Sequence, residues 1–181
     1  LFAFNHQALN FFNPALFDYP FSKFLRHHLL SVKDKPVQMR KVFQLFKEEV
    51  SGSKGKALKE LNALKNSSIH YRTLLESLPY SRLNAFSETH RVLLLAAFNS
   101  TSDNKTLKLI TRAVEFLAFR WIVAGLNAQT LENKYQELSK LCSKLGTPEG
   151  ISKFLSKVFE LAPNNLDFKV EIGRASCRER V

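Results

Sequence analysis

The sequence predicts an all-α protein, an irregular bundle of about six to eight helices. Three observations carry this. Apolar residues recur at i, i+3, i+4 and i+7 in one segment after another, the period of a helix with one buried face. No segment alternates apolar and polar residues between hairpin turns. Glycine and proline number only six each in 181 residues, too few to supply the turns of a many-stranded sheet. Hydrophobic residues make up 45% and charged residues 24%, which suits one globular domain with a core of its own. Phenylalanine dominates the aromatic set, sixteen against one tryptophan. It fills apolar cores without a polar atom to satisfy.

Taken in order, residues 1–20 are Phe-rich and broken by Pro14 and Pro20, which reads as a short helix and then a turn. "FSKFLRHHLLS" places Phe21, Phe24, Leu25 and either His28 or Leu29 on one helical face. "VKDKPVQ" is a loop. "MRKVFQLFKEEV" aligns Met39, Val42, Phe43, Phe46 and Val50 as an amphipathic helix. After the break "SGSKG", a long helix carries Leu58, Leu61, Leu64, Tyr71, Leu75 and Leu78 down one stripe, with Pro79 beyond its end. "HRVLLLAAF" is almost wholly apolar and predicts a buried helix.

"STSDN" supplies caps for the next helix, "KTLKLITRAVEFLAFRWIVAG". That helix is apolar on most sides, which assigns it to the bundle centre with Leu107, Ile110, Val114, Leu117, Trp121 and Ile122 buried. Gly125 ends it and Asn127 caps its successor, whose buried stripe is Leu131, Tyr135, Leu138, Leu141, Cys142 and Leu145. The last helix starts with Thr147 as N-cap, Pro148 in the first turn and Glu149 beside it, then buries Ile151, Phe154, Leu155, Val158 and Phe159.

The formal charge is +11, which favours a polyanionic partner. Two cysteines, Cys142 and Cys177, make neither a metal spacing nor a disulfide framework, so a reducing compartment is the default. No secretory signal or 18-residue apolar run occurs, which predicts no membrane partner and a cytoplasmic setting.

Lys23, Arg26, Lys33, Lys35, Arg40 and Lys41 cluster around one helix–loop–helix and are candidates for phosphate contact, with His27 and His28 beside them. The same cluster also reads as a solvated charged rim. Adjacent histidines on a helix point roughly 100° apart and cannot readily share a metal, so no metal site is assigned. No catalytic constellation or phosphate-binding glycine loop emerges, and no catalytic residue is assigned. Asn99-Ser100-Thr101 matches a glycosylation sequon by chance. Arg120, in an otherwise apolar helix, needs a partner. The turn at Gly125–Asn127 folds the next helix back and predicts Glu132 as that partner. The alternative is an Arg120 that faces outward toward DNA or another domain.

Three stretches carry a resemblance: "FSKFLRHHLLS" with "MRKVFQLFKEEV", then "ALKELNALKNSSIHYRTLLE", then "KTLKLITRAVEFLAFRWIVAGLNAQTLENKYQELSKLC". In order, they resemble the helical middle region of GmrSD-type proteins, the modification-dependent (type IV) restriction endonucleases and their phage-defence relatives. Arg120, Gly125, Asn127, Leu131, Glu132 and Tyr135 fall on that family's pattern. The resemblance implies a longer parent protein with an N-terminal ParB-like domain that handles a nucleoside triphosphate. It also implies a C-terminal HNH-type nuclease using a divalent metal on modified DNA. Neither a "DGQQRL" motif nor an HNH arrangement occurs in these residues, so the chain would be the connector, with no cofactor of its own. A self-standing basic helical nucleic-acid-binding or regulatory protein is the alternative.

The last residues, "GRASCRERV", resemble a translated sequencing adapter. The expected division is therefore a helical domain over 1–170 and a non-native tail over 171–181. Removing that tail takes away three arginines and two glutamates, so the basic character survives.

Overall fold

The computed structural model describes residues 21–33, 37–77, 83 and 88–164. The expectations for residues 1–20, for Leu78 and Pro79, and for the 171–181 tail lie outside the described residues. The described chain is helical, and no strand occurs among the described residues. Its α-helices are α1 (Phe21–Val32), α2 (Val42–Val50), α3 (Lys54–Glu76), α4 (His90–Ser100), α5 (Asn104–Val123), α6 (Ala128–Ser139) and α7 (Pro148–Leu161). Single 3-10 turns, Met39–Lys41 and Cys142–Lys144, lead into α2 and toward α7.

The bundle is built around α4. Every residue from His90 to Ala97 is buried, and α4 packs on α1, α3, α5, α6 and the second 3-10 turn. A helix buried on all sides must be apolar on all sides, which is what "VLLLAA" supplies. This corrects the expectation that α5 is central. Only one stripe of α5 is buried: Leu107, Ile110, Val114, Leu117, Ala118 and Trp121. Leu109, Phe119 and Ile122 face outward at 41%, 50% and 45% exposed, while Ala113 and Phe116 are partly buried against the core. An apolar count cannot distinguish an enclosed helix from a half-exposed one that carries apolar residues on its outer face.

The caps follow local chemistry. Asp103 accepts from the amides of Lys105 and Thr106, Asn127 from Gln129, and Thr147 from Gly150. Gly125 adopts φ +65° after α5, a conformation costly for other L-residues. The Trp121 indole donates to the Asn127 carbonyl at 3.0 Å and ties this turn shut.

The long helix α3 departs from its expected stripe. Leu64, Tyr71 and Leu74 are buried, whereas Leu58 and Leu61 are exposed. The cause is length. At 23 residues α3 is about 35 Å long, twice the 11-residue α4 that covers it, so its N-terminal turns extend past the core. On α2, Val42 and Phe46 are buried, while Met39 in the preceding turn and Phe43 are exposed. The apolar stripe there is narrower than the sequence pattern. Phe159, expected inside, is also exposed, with its ring 5.3 Å from Phe116.

Candidate nucleic-acid interface

Helix α1 holds the densest set of sequence candidates, and the structure turns most of them inward. Arg26 donates from Nε to the Val37 carbonyl at 2.9 Å and from Nη2 to Glu132 Oε1 at 2.8 Å. His27 Nδ1 lies 2.7 Å from the Tyr71 hydroxyl, and His28 Nδ1 lies 2.9 Å from Ser67 Oγ. Ser67 in turn accepts from the Asn99 side-chain amide at 3.2 Å, which carries the network into α4. Phe24 packs edge-on against Tyr71 beside it.

The two histidines are 6% and 2% exposed, so neither can meet a phosphate. Burial, reinforced by the charges of Arg91 and Arg26, pulls His27 down to about 3. Burial alone pulls His28 down to about 4. Both are neutral rings spanning α1 and α3, and their assignment to nucleic-acid binding is corrected. The reason is positional: residues 24–30 of α1 lie against α3 and α4, and only a hydrogen-bonded polar group is tolerated there.

The remaining members of the set divide. Lys23 pairs with Glu88 at 3.2 Å. Lys33 pairs with Glu49, whose carboxyl is held below its ordinary range chiefly by that bond. Lys35 lies outside the described residues. Arg40 and Lys41 are exposed on the turn before α2, with Arg40 Nε reaching Gln38 Oε1 at 3.1 Å. Two of the candidates thus face solvent.

The expected Arg120–Glu132 pair does not form. Glu132 is buried, but its partners are Arg26 and the Gln129 amide. Arg120 donates twice to the Pro163 carbonyl, at 3.0 and 2.7 Å, and its guanidinium lies over the Phe116 ring. Glu132 lies on the face of α6 toward α1, and Arg120 reaches the chain leaving α7. The turn between α5 and α6 was legible, but the neighbour that Glu132 faces was not.

The sequence-based set omits several lysines that the structure exposes. Lys47 lies in the last turn of α2, and Lys54, Lys56 and Lys59 lie in the first two turns of α3; all four are exposed. Between Gln38 and Lys65 the chain carries seven Lys or Arg against three acidic residues. That density was the available signal. Among the described residues, no three His, Cys, Asp or Glu side chains gather as a metal site would need. No helix among them is long and apolar enough to cross a membrane. Comparison with protein-family models, curated proteins and solved structures finds no match.

Proposed function

We propose that the chain is a rigid helical connector of a longer, GmrSD-like modification-dependent DNA restriction or phage-defence protein acting in the cytoplasm. One observation carries this reading. The three stretches that bear the resemblance meet at α1: Arg26 binds Glu132 of the third, while His27 and His28 bind Tyr71 and Ser67 of the second. The residues that match the family pattern therefore include ones that lock helices together, as a spacer between two working domains requires. The nucleoside triphosphate and divalent metal would be bound by those other domains, and modified DNA would be cut there.

The test is the intact reading frame. A ParB-like domain with a "DGQQRL"-type motif on the N-terminal side and an HNH motif on the C-terminal side are expected. A start codon immediately before Leu1 and a stop near Val170 would refute the connector role. That result would favour the second reading, a self-standing basic helical nucleic-acid-binding or regulatory protein. The exposed lysines between α2 and α3 are what support it.

A further inference from the structure

We propose that the elbow between α2 and α3 binds a single strand of nucleic acid, with Arg40, Lys47, Lys54, Lys56 and Lys59 on its phosphates and Phe43 under a base. The proposal goes beyond the connector reading and stands whether or not the chain has partner domains.

The geometry begins with spacing. Arg40, Phe43 and Lys47 follow one another at i, i+3 and i+7, so they share a face of α2 and its leading turn, and all three are exposed. Phe43 is 55% exposed, with the Phe21 ring 6.4 Å away, so the ring is partly open and has a cation on either side in the helical spacing. Ser51–Ser53 then turn the chain, with Gly52 at φ +118° and Ser53 capping α3 by accepting from the Lys56 amide. This turn leads from the last turn of α2, which holds Lys47, into the first turn of α3, which holds Lys54 and Lys56.

Electrostatics single the elbow out. The first turn of α3 holds no acidic residue, and Lys54 and Lys56 stand at the positive end of the helix, where the macrodipole opposes them. Neither side chain supports the core, because no residue of α3 before Leu64 is buried. Of the acids nearby, Glu49 holds Lys33 and also feels the charge of Lys56, and Glu48 accepts from the Gln44 amide. Lys41, Lys47, Lys54 and Lys59 form no ion pair among the described residues. Lysines at the start of α3 that stabilise neither that helix nor the core fit a polyanion that supplies the missing negative charge. A single strand fits better than a duplex, because an exposed ring flanked by cations offers a stacking platform for unpaired bases.

The test uses the full 181-residue chain and fluorescence anisotropy with a labelled oligothymidine of about 20 nucleotides and a duplex of the same length. Removing four lysines together (K47Q/K54Q/K56Q/K59Q) is expected to weaken single-strand binding more than about tenfold and to flatten the log–log salt slope by about 3. A charge-matched variant elsewhere, K105Q/K108Q/R112Q/K153Q, is expected to lose less than about threefold. Phe43→Ala is expected to lose about tenfold on the single strand and little on the duplex. Circular dichroism melts confirm that each variant is folded. Equal losses in the two charge variants, or an unchanged Phe43→Ala, would overturn the proposal. Binding to vesicles of phosphatidylserine and phosphatidylcholine without binding to the oligonucleotide would overturn it too.

Discussion

Replacing Arg26 by alanine removes the one side chain that, among the described residues, joins α1 to α6 through a charged contact. The magnitude follows from what is left behind. Glu132 is 8% exposed, and without Arg26 its described contact is the Gln129 amide at 3.3 Å. A lost charge-assisted hydrogen bond is worth about 1.5–3 kcal/mol, and the Val37 carbonyl loses a donor worth about 1 more. Stranding a charge in a fully buried pair costs about 3–5 kcal/mol. The Arg26 side chain is 24% exposed, so water offsets part of this, and about 3 kcal/mol is the expected loss. Urea unfolding at neutral pH measures it, and the melting temperature should fall by about 6–12 °C for a chain of this size. A double-mutant cycle of Arg26→Ala with Glu132→Ala should return a coupling above about 1 kcal/mol, while Arg120→Ala with Glu132→Ala should stay within about 0.5 kcal/mol. A loss below about 1 kcal/mol for Arg26→Ala would put the pair in the class of surface ion pairs and refute the reasoning.

The buried histidines give stability a sign with pH. Their folded values are depressed to about 3 and about 4, so between there and about 6.5 the unfolded chain binds more protons. Stability is therefore full above about pH 6.5 and declines as pH falls, by on the order of 4 kcal/mol at pH 5 for the two together. A urea midpoint that stays flat from pH 7 to 5 would contradict neutral, buried rings. Gly150→Ala should cost about 3 kcal/mol in the same assay, because a Cβ there would collide with the Lys144 carbonyl oxygen. Gly125→Ala has open space and should cost only about 1 kcal/mol, from its positive φ. Burial pushes the Cys142 thiol up to about 12. Peptide mapping after iodoacetamide treatment should find it unmodified in the folded chain and modified in urea. Rapid labelling without denaturant would show that the α6–α7 junction opens.

The sequence specified the helices better than their depth in the bundle. Thr147 and Pro148, Asn127 and Gly125 are local signals, decided by a few neighbouring residues, and each stands where the pattern put it. Leu58, Phe43 and Ile122 match a helical period and are exposed all the same. Whether a stripe is covered depends on the length and position of another helix, which the stripe does not encode. Gly150 had no sequence signal beyond its place in "GTPEG"; its need for a missing side chain comes from the carbonyl of Lys144 folding against it. The candidate interface failed for a related reason. Positive charge near α1 was visible, but Arg26 and Lys33 meet Glu132 and Glu49, and those pairings are set by tertiary structure.

The run Arg26–His27–His28 shows how one geometric fact can exclude a chemistry and require a structure. Consecutive helical residues diverge by roughly 100°, so three polar side chains in a row sweep about 200° of the helix surface. That spread argues against a shared metal or a single phosphate contact. It also means that a helix with such a run can be buried only if partners wait on more than one side. Here Glu132 stands toward α6, and Tyr71 and Ser67 stand toward α3, met in reverse order along the chain as antiparallel packing of α1 and α3 demands. Each tie is made by a different side chain to a different neighbour, so α1 cannot rotate or slide without breaking at least one. Satisfied polar contacts of this kind fix register where leucines alone would tolerate a slip. The prediction is a double variant, His27→Phe with His28→Leu, that keeps apolar volume and removes both ties to α3. It should stay helical by far-ultraviolet circular dichroism, since the core remains apolar. Native-state hydrogen exchange in α1 and α3 should nevertheless accelerate more than in α7, which packs on α5, α6 and the second 3-10 turn. Uniform acceleration across all helices would mean that the histidines contribute only to global stability and set no register.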